Sequence, residues 1–178
     1  MSRERYYIYL VSSLPMLHFG AKPPLPFEKF IGMCRGLIPR EDIDIIKSIT
    51  LDNAYAYKGE QPTIKKWRAF DTALRNELVR VRASRKRVDP YRFIRGDDEP
   101  DVSINHLAIN AVRNPSILEG ERMLDQARWR ALDEFSIGHY FDMDILVVYT
   151  IKLLILEKWE GIASSDKPRL VEEVTAKG

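Results

Sequence analysis

The residues with the clearest chemical potential are cations. Between Lys65 and Arg95 stand Lys65, Lys66, Arg68, Arg75, Arg80, Arg82, Arg85, Lys86, Arg87, Arg92 and Arg95, against only Asp71, Glu77 and Asp89. Carried on a helix, such a run would meet phosphate or an acidic protein surface. It equally fits a solvated outer face whose last-turn cations complement the helix C-terminus. The densest part, Arg80, Arg82, Arg85, Lys86 and Arg87, is the candidate partner-binding set. No aromatic ring is interleaved within it. A single-stranded nucleic-acid site wants stacking rings beside its cations, so nucleic acid is the alternative reading and a protein surface the first.

A second group is Glu134, His139, Asp142 and Asp144. Carboxylates beside an imidazole can take a metal. Gly138 is expected to interrupt the helix between them, however, and the helical spacings of zinc or di-iron sites are missing. His139 reads as a helix-end histidine, and Asp142 and Asp144 as caps. Asp97, Asp98, Glu99 and Asp101 lack the spacing and glycine of a calcium loop, and read as linker. Glu121 and Arg128 fall within an apolar helical stripe. Burying either alone is costly, so they either pair with a neighbouring helix or face a partner across a polar groove; pairing is the expectation.

Other chemistries lack their signatures. There is no glycine-rich loop ending in Lys-Ser/Thr and no G-x-S-x-G elbow. Cys34, the only cysteine, lies on an apolar stripe and reads as inert core. His18 and His106 stand apart from any nucleophile. No catalytic, cofactor-binding or metal-ligating residue is assigned, and the chain is expected not to be an enzyme.

The elements that must position these groups follow from apolar periodicity. Residues 5–14 read as a short helix ending before Pro15. A proline-rich loop follows at 19–26, where proline denies regular hydrogen bonding. Phe27, Phe30, Ile31, Cys34 and Leu37 mark a helix, and Ile43, Ile46 and Ile49 a second one opening at Pro39, the two forming a hairpin. After a loop at 53–62, Thr63 is the expected N-cap of the most regular amphipathic helix. Its stripe is Ile64, Trp67, Phe70, Leu74, Leu78 and Val81, with Trp67 as packing support. Asp89-Pro90 stops it, and residues 89–101 are the best hinge. A short helix at 103–112 precedes a long one opened by Pro115 with Asn114 as cap, running through Ile117, Leu124, Ala127, Ala131 and Phe135.

The segment Asp142 to Ile162 is apolar on nearly every side; between Ile145 and Leu156 only Thr150 and Lys152 are neither apolar nor aromatic. Such a helix must be surrounded. The apolar run is shorter than the roughly 20 residues that a membrane-spanning helix needs, so it reads as a central bundle helix, closed by Gly161. A last helix is expected from Leu170 to Ala176 after Pro168. The sum is an all-α, multi-helix bundle, taken as one domain over residues 1–178.

Composition agrees with a globular chain: 178 residues, 45% hydrophobic and 30% charged, with 28 basic against 26 acidic side chains. Near-neutral total charge offers no case for nucleic acid. One cysteine excludes an intramolecular disulfide and fits a reducing cytoplasm. The N-terminal apolar stretch, carrying three tyrosines and two serines, reads as mature structure.

Two stretches carry a family resemblance: the opening YYIYLVSSLPMLHFGAKPPLPFEKFIGMC, and the run from Asn114 to Trp159 that includes Arg128-Trp129 and Leu132-Asp133-Glu134. Together they resemble a small bacterial family encoded within V-type ATPase operons. That family is itself similar to a shortened form of the all-helical socket that joins the central stalk of rotary ATPases to the membrane ring (the C-type component, d-type in eukaryotes). The resemblance implies an all-helical adaptor or assembly protein with no catalytic residue or cofactor. It also implies V-type ATPase subunits of the central stalk or near the membrane ring as partners, and a cytoplasmic location peripheral to the inner membrane. The chain is about half the length of a typical socket protein of that kind, so a whole three-lobed socket is not expected. Arg80, Arg82, Arg85, Lys86 and Arg87 would then face an acidic stalk or ring-loop surface.

Overall fold

Apolar positions three and four apart draw the chain into helices: α1 (Ile8–Ser13), α2 (Phe27–Cys34), α3 (Arg40–Ser48), α4 (Pro62–Lys86), α5 (Val102–Arg113), α6 (Ile117–Phe135) and α7 (Met143–Thr175), with a single 3-10 turn at Pro90–Arg92. The computed structural model describes residues 6–51, 59–96 and 102–175, with side chains as far as Ser165. No strand occurs among the described residues, so the fold class is all-α. Two compact units form, Met1–Tyr57 with Gly138–Gly178, and Lys58–Ile137. The boundaries fall at these two junctions. Residues 89–96 of the expected hinge lie inside the second unit, and 97–101, with the acidic run they carry, lie outside the described residues.

In the first unit, α1, α2 and α3 gather against α7. Leu10, Phe30, Ile31, Cys34, Ile43 and Ile46 form one apolar cluster with Leu146 and Leu153. The Phe30 and Tyr149 rings sit 5.2 Å apart. Polar groups at the edge are satisfied across elements: the Tyr149 hydroxyl donates to the Pro15 carbonyl at 3.1 Å, and the Tyr7 hydroxyl donates to Asp42. The N-cap position of α2 is Pro26, which has no side-chain acceptor to offer. Glu157 of α7 takes that role, its Oε1 accepting from the Phe27 N–H at 2.7 Å.

The expected α2 stripe reaches one residue too far. Gly36 adopts φ +80° and turns the chain. That leaves Leu37 exposed at 43% and brings Ile38 into the core at 7%. The hairpin of α2 and α3 forms as the spacing implies, with Ile43 and Ile46 buried.

Helix α7 starts where Asp142 Oδ1 accepts from the Ile145 N–H at 3.1 Å. Leu146, Val147, Val148, Thr150, Ile151, Leu153, Ile155 and Leu156 are all buried, as an all-round apolar segment requires. The Thr150 hydroxyl is satisfied by its own helix, donating to the Leu146 carbonyl at 2.7 Å. The helix does not stop at Gly161, and it continues through Pro168 to Thr175. Gly161 keeps a negative φ, unlike Gly138 at +84°. A glycine ends a helix by turning left-handed, and one that does not is only a weak helix residue. A proline forfeits one amide bond of the ladder, which a helix can sustain. No helix among the described residues is long and apolar enough to cross a membrane.

In the second unit α4 packs on α5 and α6. Leu74 and Leu78 meet Ala108, Ala111 and Leu124, with Phe70, Val81 and Ile104 at the margin. Gln61, not Thr63, caps α4: its Oε1 accepts from the Ile64 N–H at 2.7 Å, with Pro62 in the first turn. Thr63 is two residues further in and fully buried. Likewise Ser116 caps α6, its Oγ accepting from Glu119 at 3.2 Å, while Asn114 closes the preceding turn onto the Ser116 N–H. Ile117, expected on the stripe, is 85% exposed as a result of that shift. A Cβ added at Gly120 would lie 2.6 Å from the Ala111 carbonyl oxygen, so α5 and α6 touch backbone to backbone there.

Candidate functional site

The second unit divides its charges between an interior network and an exposed end. Inside, Arg128 of α6 is the hub. Its Nε donates to Asp71 Oδ1 of α4 at 3.0 Å, and its Nη1 to Asp125 Oδ1 at 2.8 Å. Asp71 also accepts from Arg75 Nε at 2.6 Å. Burial works against the Arg128 charge, but the carboxylates of Asp71 and Asp125 outweigh it and hold its pKa above the ordinary arginine value. Arg128 is therefore a structural ion-pair residue, joined to a neighbouring helix as its place on an apolar stripe requires. Glu121 lies half-buried on the same helix and takes part in its own polar interaction.

A third buried carboxylate, Glu77, accepts from Asn105 Nδ2 of α5 at 2.6 Å and from Arg80 Nη1. Arg80 is thus placed apart from the other members of the candidate set. Its side chain is 16% exposed and its charge is spent on Glu77 within the unit.

Arg82, Arg85, Lys86 and Arg87 are exposed at the C-terminal end of α4. Arg85 Nη1 donates to the Val112 carbonyl of α5 at 3.1 Å, which fixes one cation without hiding it. The helix ends on Arg87 in the left-handed conformation, φ 54°, ψ 41°. The Val88 N–H returns to the Ala83 carbonyl at 3.1 Å and the Arg87 N–H to the Ser84 carbonyl at 3.3 Å. This is a Schellman ending, whose left-handed position normally belongs to glycine. Arg87 is the one non-glycine residue with positive φ among those described. A cation is kept where a glycine would be strain-free.

The next few residues join this end, which the helical spacing does not foretell. Val88, Tyr91 and Phe93 are exposed at 47%, 80% and 60%. The 3-10 turn at Pro90–Arg92, which holds Tyr91 between Val88 and Phe93, is anchored on both sides. Asp89 Oδ1 accepts from the Tyr91 N–H at 3.0 Å. Asn76, buried in α4, donates to the Arg95 carbonyl at 2.9 Å and accepts from the Arg95 N–H at 3.0 Å. The signal in the sequence is Asp-Pro followed by two aromatics flanking Arg92, which resembles linker because it breaks the helical period. Trp67, by contrast, is buried at 2% and serves packing.

In the first unit, ligand atoms of His139, Asp142 and Asp144 lie within 4.8 Å of one another, close enough to share a metal. Glu134 stands outside that group. Asp142 is already engaged twice: Oδ2 is 2.6 Å from His139 Nδ1, and Oδ1 caps Ile145. The group also sits at the N-terminus of α7, whose free N–H groups favour anions and oppose a cation. Its geometry is that of a helix cap steadied by a histidine. Cys34 is buried and burial pushes its thiol up to about 11, so it is a poor nucleophile at neutral pH.

Over residues 103–174 the chain matches a family described as a protein of unknown function, DUF2764. That stretch takes in nearly all of α5, all of α6 and α7 almost to its end, with Arg128 and Asp142, and does not reach the cationic end of α4. No curated protein and no solved structure matches the chain.

Proposed function

We propose that this protein is a non-catalytic helical adaptor or assembly factor of a bacterial V-type ATPase, docking at the cytoplasmic side of the inner membrane through the C-terminal end of α4. The observation that carries the docking surface is the exposed set Arg82, Arg85, Lys86 and Arg87, closed by an arginine in a strained conformation. Strain kept at an exposed charged residue is a pointer to use rather than to stability. The choice of partner rests on the resemblance of the two sequence stretches to a family encoded in ATPase operons and, more distantly, to part of the helical socket of rotary ATPases. Such an adaptor works by holding surfaces together, and complementary charge would orient its docking and speed encounter.

Affinity capture of the full chain from native membranes, followed by identification of the captured proteins, tests the reading. Recovery of stalk or ring-proximal ATPase subunits supports it. Unchanged ATPase assembly and proton-coupled hydrolysis after deletion of the gene would refute it. A nucleic-acid role is the second reading, because Tyr91 and Phe93 place exposed rings beside the cations. It requires retardation of RNA or single-stranded DNA with steep salt dependence.

A further inference from the structure

The cations at the end of α4 do not stand alone. Val88, Tyr91 and Phe93 follow them in and beside the anchored 3-10 turn, and all three are exposed. Exposed single apolar residues are ordinary, but three within six positions, on backbone clamped by Asn76 and Asp89, form a small fixed patch. Along the described residues 82–96 the charged side chains are Arg82, Arg85, Lys86, Arg87, Arg92 and Arg95 against Asp89 alone. Exposed rings and arginines close together in the chain, on anchored backbone, are the makings of a protein-binding hot spot.

We infer that Tyr91 and Phe93 are the anchor residues of the docking surface, and that the partner presents an acidic protein segment bearing an apolar side chain that seats between them. This rests on the adaptor reading above and names the chemistry of its partner. The positive surface is short. Upstream of Arg82, Arg80 is committed to Glu77 and Arg75 to Asp71. A strand of nucleic acid needs a longer run of cations to track its phosphates. A compact acidic segment does not. The arginines set the rate and salt dependence of encounter, and the rings set the lifetime of the complex.

The test is binding of the full chain to purified, detergent-solubilised V-type ATPase from the same cell, followed by biolayer interferometry at low and high salt. Y91A/F93A is expected to weaken binding at least tenfold at both salt concentrations, mainly through faster dissociation. R85E/K86E/R87E is expected to slow association and flatten its salt dependence. All five side chains are exposed, and an unchanged helical circular dichroism spectrum and melting temperature verify that the variants fold. Wild-type binding left intact by Y91A/F93A overturns the inference alone. No wild-type binding to the ATPase overturns the adaptor reading and this inference with it. Wild-type binding to phosphatidylglycerol vesicles or to RNA, lost in the same variants while ATPase binding persists, also overturns it by assigning the rings to lipid or nucleic acid.

Discussion

Arg128 Nε and Asp71 Oδ1 meet at 3.0 Å although 57 positions separate them in the chain. The contact ties α6 to α4 through a largely buried charge pair. Removing one partner of a buried pair leaves the other uncompensated, which is far more damaging than the pair itself is stabilising. Arg128→Ala takes the arginine away from both Asp71 and Asp125. It is expected to destabilise the protein by about 3 kcal/mol, with Arg75 still shielding Asp71 in part. Urea denaturation measures this, and a loss below about 1 kcal/mol would mean that the network is wetter than its burial implies.

Glu157 stands in for a missing cap. Because Pro26 supplies no acceptor, Glu157→Ala should cost about 1–2 kcal/mol, and Glu157→Gln clearly less, since an amide oxygen can still accept from Phe27. Amide hydrogen exchange at Phe27 resolves the two. Equal exchange in the wild type and Glu157→Ala would show that the cap does not operate.

Gly120 is confined by backbone. Alanine there would gain helix propensity of about 1 kcal/mol, yet its Cβ would press on the Ala111 carbonyl at 2.6 Å. The clash is expected to win, because a carbonyl cannot swing aside as a side chain can. Gly120→Ala should lower stability by about 1–3 kcal/mol. A rise in melting temperature would show that α5 and α6 separate cheaply.

Arg87 makes the opposite prediction. Glycine fits the left-handed ending of α4 without strain. Arg87→Gly should therefore stabilise the fold by about 0.5–1 kcal/mol while weakening binding to the ATPase. Thermal melts and the interferometry assay separate these effects. A variant both less stable and fully competent in binding would remove the strain argument.

Burial raises Tyr149 to about 12 and Cys34 to about 11. In both, the folded state holds its proton more tightly than the unfolded chain does. Their contribution is complete below the unfolded values, near 10 for Tyr149 and 9 for Cys34, and is lost as pH rises through the folded ones. Stability should thus decline between about pH 9 and 12, by about 2 kcal/mol for Tyr149 after allowing for its partial exposure. Tyr149→Phe should lose less between pH 8 and 11, despite forfeiting the bond to Pro15. Denaturation midpoints at the two pH values give the comparison, and parallel losses would place the alkaline sensitivity elsewhere.

What can be read from the sequence is what depends on local periodicity. The stripe of Ile64, Trp67, Leu74 and Leu78 and the burial of most of the segment from Leu146 to Leu156 follow from side-chain spacing alone. Caps are legible only in type. Thr63 and Asn114 are good cap residues, but Gln61 and Ser116 reach the free N–H groups instead, because the first helical turns begin elsewhere. Buried Asp71 and Glu77 could not be anticipated, since their burial is permitted by Arg128 and Asn105 on other helices. The candidate set is legible as a basic run. Its internal division is not, because only packing commits Arg80 to Glu77 and frees Arg82, Arg85, Lys86 and Arg87 for the surface.

The first unit takes its material from both sides of the second: Met1–Tyr57 must find Gly138–Gly178, while Lys58–Ile137 is one unbroken piece. On the ribosome the consequence is a waiting period. Phe30, Ile31 and Ile46 emerge long before Leu146 and Leu153, with which they cluster. At ordinary elongation rates the gap lasts on the order of ten seconds. The middle piece can finish folding in that interval, whereas the early helices stay greasy and unfinished. Nascent chains stalled short of residue 143 should therefore be the forms most readily seized by chaperones.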